Sequence, residues 1–314
     1  MKNLVLFFSA VITFAQRPAD PLLLMPQQAL ELAVTIDAAP FTLPSGMTMG
    51  PQASLAFDSK GHMIILSRGP QALFEFDGNG KFIRAWADGM FTRTHGLRID
   101  RDGNYWITDV GGHVVVKMNP KGDVLLTLGV KGEAGEWKEA SGVRKFNQPT
   151  DVAIAGNGDV FIAQGHTAGS GDPRVIKFDK TGKFITSWGG LGTAAGKFTA
   201  AHGLAFDAKG QLWVADRENQ RIQIFDQSGK FIREKKYAGL PCSIYIGSQN
   251  IYMVNGFAGQ MLKLDLDGNV LAATGKAGKG PGEFGEAHFV TVSPKGEIYT
   301  ADTVNSMVQK FVLK

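Results

Sequence analysis

Cysteine is almost missing from this chain: Cys242 stands alone among 314 residues, so no internal disulfide can form. Charge of one sign is missing as well. Thirty-three Lys and Arg against 29 Asp and Glu leave a formal net charge of +4, with only short basic clusters such as Arg233 to Lys236. That is a solvated surface and not a stripe that tracks a phosphate backbone, which excludes a nucleic-acid partner. No apolar run reaches the ~20 residues that a bilayer span needs. Nor is there a nucleophile elbow, a phosphate-cradling glycine loop or an HExxH helix, so Ser/His/Asp catalysis has no positional support.

The first residues read as an address. Lys2 gives a basic start, Leu4 to Phe14 an apolar stretch, and Thr13 and Ala15 the small residues of a cleavage site, the pattern of a secretory signal. The expected organisation is a signal peptide over 1–15, a flexible segment over 16–30, and one domain over 31–314. Export to a periplasm or the outside follows from this reading, and a monomer is expected.

What the chain does have is glycine, 40 of them, in a repeat. Its clearest copy runs His202-Gly203-Leu204-Ala205-Phe206-Asp207, Ala208-Lys209-Gly210, Gln211 to Asp216, Arg221 to Asp226, then Lys230 to Lys235. This is four short apolar segments separated by turn-forming residues, a four-stranded antiparallel unit of roughly 40 residues. Six copies start near Ala53, His95, Thr150, His202, Cys242 and His288. Such units bury their faces only by stacking, and closing the ring removes the ends. The expected fold is all-β, a six-bladed β-propeller. The last copy lacks its fourth strand, which the alternating stretch Leu32 to Ile36 can supply. Gly-rich insertions interrupt the pattern at 130–146, 167–172 and 276–286, as functional rims or plain disorder.

Aligned on the first turn glycine, the six starting residues form one column: Ala, His, Thr, His, Cys, His. The first strand of each blade lines the central channel, and alternate blades are related by about 120°. His95, His202 and His288 should therefore converge, and three imidazoles with an open fourth position are how a catalytic zinc is held. Neutral imidazole also suits Fe, Cu or Ni. Cys242 shares the column, where a buried, inert thiol is the simpler expectation than a ligand or nucleophile. A second column follows the second strand and holds Arg68 and Arg217 on opposite blades. Guanidinium forks bind carboxylates, so a small anionic substrate or a peptide C-terminus could be clamped there. Arg217 also has Asp216 and Glu218 beside it, the makings of a structural ion pair. His166 lies one residue beyond that column and could act as a general acid or base. His62 and His113 fall at turns and read as surface.

These residues resemble a known family. The repeats are similar to NHL repeats, and the histidine spacing resembles that of peptidyl-α-hydroxyglycine α-amidating lyase. The most specific stretches are His95-Gly96-Leu97 with Asp102 to Val110, Gln148-Pro149-Thr150-Asp151-Val152-Ala153, Gly182-Lys183-Phe184-Ile185 and Val214 to Asn219. The resemblance covers nearly all of the chain after the signal. It implies zinc on His95, His202 and His288, active-site arginines at Arg68 and Arg217, and cleavage of an N-acyl-α-hydroxyglycine to an amide and glyoxylate. It also implies a structural calcium ion. Three departures stand out. The family's catalytic tyrosine is replaced within Gln164-Gly165-His166, which makes His166 the expected base. The acidic calcium ligand after the third histidine is Phe289, and the family's disulfides have no partners here. A metal-dependent ester or lactone hydrolase on the same three histidines is one alternative. A non-catalytic NHL binding propeller is the other.

Overall fold

The Asp-x-x-Gly of the repeat closes its hairpins. Asp58, Asp100 and Asp207 each accept, through Oδ1, the backbone N–H groups two and four residues ahead, at 2.8 to 3.0 Å. Asp77, Asp179, Asp226 and Asp265 do the same between the third and fourth strands. A carboxylate that takes two backbone donors fixes a tight turn. The four strands of each repeat therefore fold back in order.

The computed structural model describes residues 17–168 and 171–314, and its repeats form six four-stranded antiparallel sheets. The inner strands are Gln52–Phe57, Thr94–Ile99, Pro149–Ile154, Ala201–Phe206, Pro241–Ile246 and Ala287–Val292. Each neighbours the next, and the first meets the last. Burial falls outward: second strands such as Leu212–Asp216 are buried throughout, whereas fourth strands such as Phe231–Lys236 are half exposed. The apolar cores lie between blades. Phe161 and Val175 of blade three, for example, pack with Leu204, Val214 and Phe225 of blade four.

Ring closure follows the expected clasp. Val34–Asp37 pairs antiparallel with Met307–Leu313, matching Val34 with Leu313 and Ile36 with Phe311. The signal peptide expected over 1–15 lies outside the described residues. Of the segment expected to be flexible over 16–30, the later part is laid against blade five. Gln27 N–H donates to Gln260 Oε1 at 2.7 Å, Ala238 N–H donates to Gln27 Oε1 at 2.9 Å, and Ala273 N–H donates to Leu30 O at 2.8 Å. Two insertions dock aromatic side chains into the interblade cores. Trp137 packs on Phe146 and Phe178, and Phe284 stacks on Phe311. Among the described residues no helix is long and apolar enough to cross a membrane.

One irregularity recurs in all six inner strands. The pairing register shifts between Gln52 and Ser54, Thr94 and Leu97, Pro149 and Asp151, Ala201 and Gly203, Pro241 and Ser243, and Ala287 and Phe289. Each shift spans the column residue. A bulge leaves its residue out of the ladder and re-aims its side chain, which is why the whole column faces the axis.

Candidate metal centre

The three column histidines meet at the hub. Their ring centroids lie 4.6 Å apart for His95 and His202, 4.5 Å for His95 and His288, and 5.1 Å for His202 and His288. All three rings are fully buried. Each hands its Nδ1–H to the column carbonyl of the following blade: His95 to Thr150 at 2.8 Å, His202 to Cys242 at 2.9 Å, and His288 to Ala53 at 2.6 Å. The alternation therefore has two halves. Blades two, four and six supply rings; blades three, five and one supply the carbonyls that hold them.

A carbonyl only accepts, so Nδ1 carries the proton in all three rings and Nε2 is left with its lone pair. His288 Nε2 and His95 Nε2 then face each other at 3.2 Å, and His202 Nε2 is buried without a partner. Burial, then the neighbouring imidazoles and guanidiniums, hold all three pKa values well below the ordinary imidazole value. Protonation is therefore not what relieves the crowding. Bare nitrogen lone pairs converging in a dry site are the donor set of a borderline transition metal, zinc among them.

Local sequence explains why the rings can approach their carbonyls. Gly96 and Gly203 follow two of the histidines; a Cβ at Gly96 would lie 2.7 Å from Thr150 O, and one at Gly203 would collide with Cys242 O. Asp109, Asp216 and Asp302 end the second strands of the same three blades. They accept N–H groups from Thr92 and Arg93, from Thr199, and from Gly285 and Glu286 at 2.7 to 3.1 Å, anchoring the chain just ahead of each histidine.

The two second-column arginines differ. Arg68 donates Nε–H to Thr94 O at 3.1 Å, while its Nη2 is shielded from solvent and has no partner. Burial, with Arg93 and Arg217 nearby, pushes Arg68 down to about 9. Arg217 is already engaged: Nε–H donates to Glu218 Oε1 at 2.8 Å, and Nη1 lies 3.7 Å from Glu286. Burial pulls its value down, but Glu218 and Glu286 raise it above the ordinary arginine value. Asp216, its other acidic neighbour, pairs with Arg221 at 2.8 Å. Arg93 and Glu286 were not singled out from the sequence. Each lies two residues ahead of a column histidine, a phase in the repeat that would have flagged them. Three guanidiniums thus face two carboxylates, and among the described residues the buried Nη2 of Arg68 finds no partner.

His166 also reaches the hub. It is buried, with its ring 4.8 Å from His95 and 5.5 Å from His202. Cys242 is buried, and burial pushes its thiol up to about 12, so it is an inert thiol whose carbonyl does the positioning. His62 and His113 stay away from the axis. His62 pairs with Glu75 at 2.8 Å, and His113 accepts from Gln148 N–H at 3.1 Å.

Calcium does not fit below the hub. Phe289 touches the rings of His95 and His288 on one side and the Arg98 guanidinium, 5.3 Å away, on the other. Arg98 in turn binds Asp151 at 2.6 Å and the carbonyls of Leu97 and Leu204. A phenyl ring offers no oxygen, and a fixed cation already takes the buried carboxylate. Beyond Arg98 the axis opens into a separate cavity of about 380 Å³ at the far mouth.

The depressed histidines give a pH prediction. Only neutral imidazole binds metal, so protons compete below each ring's own pKa. Three ordinary imidazoles would lose roughly 60-fold in affinity between pH 8 and pH 6. Here the neutral form persists to lower pH, so zinc affinity measured by chelator competition should stay nearly flat across that range. A loss of the ordinary size would refute the depressed values.

Comparison with known proteins agrees with this architecture. The NHL repeat model matches residues 198–225 and 284–311. A peptidyl-glycine alpha-amidating monooxygenase of Mus musculus is 32% identical over 310 residues, 84% of this chain and 30% of that protein. A peptidyl-alpha-hydroxyglycine alpha-amidating lyase 1 of Drosophila melanogaster is 31% identical over 271 residues, 74% of this chain and 47% of that protein. The chain thus spans less than half the length of either relative. A solved gluconolactonase from Xanthomonas campestris overlays with a TM-score of 0.64 at 13% identity, covering 92% of this chain and 99% of that one, a likeness of fold alone. The chain is an NHL-repeat six-bladed propeller, homologous to proteins named peptidyl-alpha-hydroxyglycine alpha-amidating lyase.

Proposed function

We propose that the protein is a secreted or periplasmic zinc-dependent lyase that cleaves N-acyl-α-hydroxyglycine-type substrates to a primary amide and glyoxylate. The observation that carries this reading is the convergence of bare imidazole lone pairs beside Arg68, a guanidinium with an unused, shielded donor. In the reaction the bond between the α-carbon and the amide nitrogen breaks. The hydroxyl oxygen becomes the aldehyde oxygen, its proton leaves to a base, and the nitrogen departs as the amide after taking a proton. Zinc held by His95, His202 and His288 would supply Lewis acidity that makes the hydroxyl easier to deprotonate.

The chain's own groups do the rest. Arg68 binds the substrate carboxylate through Nη2, a charge-assisted bond in a shielded place. Arg93 adds positive field beside it. Arg217, tied to Glu218 and Glu286, shapes the wall of the site instead of forking the carboxylate. His166, kept neutral by its buried surroundings beside Arg217 and His202, takes the hydroxyl proton.

The test is turnover of α-hydroxyhippurate by the zinc-loaded protein. Glyoxylate and benzamide should appear in equal amounts. Hydrolysis of a lactone panel without glyoxylate release would favour a metal-dependent hydrolase, and neither activity would leave a binding propeller.

A further inference from the structure

Four imidazoles share the hub, although the column supplies only three. One ring nitrogen from each of His95, His166, His202 and His288 lies within 4.8 Å of the other three. The centroid of His166 is 4.8 Å from that of His95 and 5.5 Å from that of His202. The first value falls within the 4.5 to 5.1 Å found among the three column rings, and the second lies just beyond it. His166 is not part of the bulged column. It enters from the exit of blade three's second strand, so it approaches from a direction that the other three leave open.

Its position is built. Gly165 has φ +93°, and its N–H donates to Asn147 O at 3.0 Å and Gln148 O at 3.1 Å. A Cβ at Gly165 would lie 2.5 Å from Pro173 Cα, so the chain turns sharply there. That turn throws the next side chain into the mouth. Among the described residues, the ring contacts of His166 are those with His95 and His202. Burial, Arg217, His202 and the other arginines hold it well below the ordinary imidazole value, as they do the column rings. A buried imidazole packed against two converging donors, with four ring nitrogens within 4.8 Å of one another, offers a four-side-chain donor set of the number that zinc takes.

We infer that His166 is a fourth protein ligand, which makes the substrate-free centre a closed four-imidazole site. The inference rests on the proposed metal at His95, His202 and His288. It changes what opens the site. His166 would hold the metal until substrate enters and would then be free, with its lone pair, to take the substrate hydroxyl proton. Ligand and base are then the same residue at different moments, which a tyrosine-to-histidine exchange alone would not suggest.

The experiment uses the full chain loaded with zinc, alongside His166→Phe and the closer-sized His166→Tyr. X-ray absorption at the zinc edge should count four imidazoles in the parent protein and three in His166→Phe. Chelator competition should show His166→Phe holding zinc at least as much more weakly as loss of an outer-shell partner costs, roughly 10–100-fold. Three imidazoles in the parent, equal affinity in the variant, or no bound zinc at all would overturn the inference. If His166→Phe does not fold, His166→Tyr carries the same count, with an oxygen in place of the fourth nitrogen. Four imidazoles without glyoxylate release would uphold the site and sink the lyase reading. Three imidazoles with glyoxylate release would do the reverse.

Discussion

Replacing His202 with alanine will strip the hub of one column ligand and stop turnover while the propeller stays folded. His202 supplies one of the lone pairs, and its Nε2 has no hydrogen-bond partner among the described residues. Losing it should weaken zinc binding at least as much as the roughly 10–100-fold expected for His166→Phe, so that a competing chelator strips the variant well before the parent. Metal polarisation of a reacting oxygen is worth several kcal/mol, so kcat/KM should fall by about 1000-fold or more. The fold has less at stake. Cys242 O loses its Nδ1 partner, a cost of about 1–3 kcal/mol for a buried acceptor. Six interblade cores remain intact, so the circular dichroism spectrum should be unchanged. His62→Ala, at a histidine paired with Glu75 away from the axis, serves as the control and should keep both metal and activity. A His202→Ala protein that held zinc as tightly as the parent under chelator competition and kept its turnover would remove this ring from the chemistry.

The centre was legible in the sequence because two periodicities coincide. The repeat fixes the phase of every inner strand, and histidine is rare here, six in the whole chain. The bulge that aims the column at the axis was not legible, yet it recurs in every blade and preserves the phase. The partner carbonyls on alternate blades were invisible for a plain reason: Thr150, Cys242 and Ala53 act through their backbone. Arg93 and Glu286 escaped notice because they precede the repeat's regular part and gain meaning only when three blades meet across the channel.

Elsewhere the sequence posed a choice that only packing could make. Arg217 has acids on both sides, and the structure sends Asp216 to Arg221 and leaves Glu218 for Arg217. Phe289 read as the loss of an acid, whereas in the fold it is a floor, with Arg98 and Asp151 beneath it. The approach to the first blade, rich in Pro and polar residues, read as flexible. Its pin is the exchange between Gln27 and Gln260, which are too far apart in sequence for any local pattern to relate.

Arg68→Met should trade activity for stability. In the free protein Arg68 is a liability: Nη2 is shielded and unbonded, and burial with Arg93 and Arg217 pushes its pKa down to about 9. Methionine keeps much of the length and apolar stem while removing the charge. The variant forfeits the bond from Nε–H to Thr94 O, worth about 1 kcal/mol. It is also relieved of a half-buried cation that Glu286 offsets only in part, and replacing buried charge with an apolar side chain is often neutral or stabilising by about 1–4 kcal/mol. The metal-free variant should therefore melt at or above the parent's temperature. Turnover moves the other way. Truncating one partner of a buried charged pair costs about 2–5 kcal/mol, so kcat/KM on α-hydroxyhippurate should fall by roughly 30- to 5000-fold. Zinc content should not change, since Arg68 donates to a backbone carbonyl and ligates nothing. The combination is specific to a site that stores strain for an anion. A variant that lost both stability and activity would show Arg68 to be a structural strut, and one that kept its activity would leave the substrate carboxylate without a binding group.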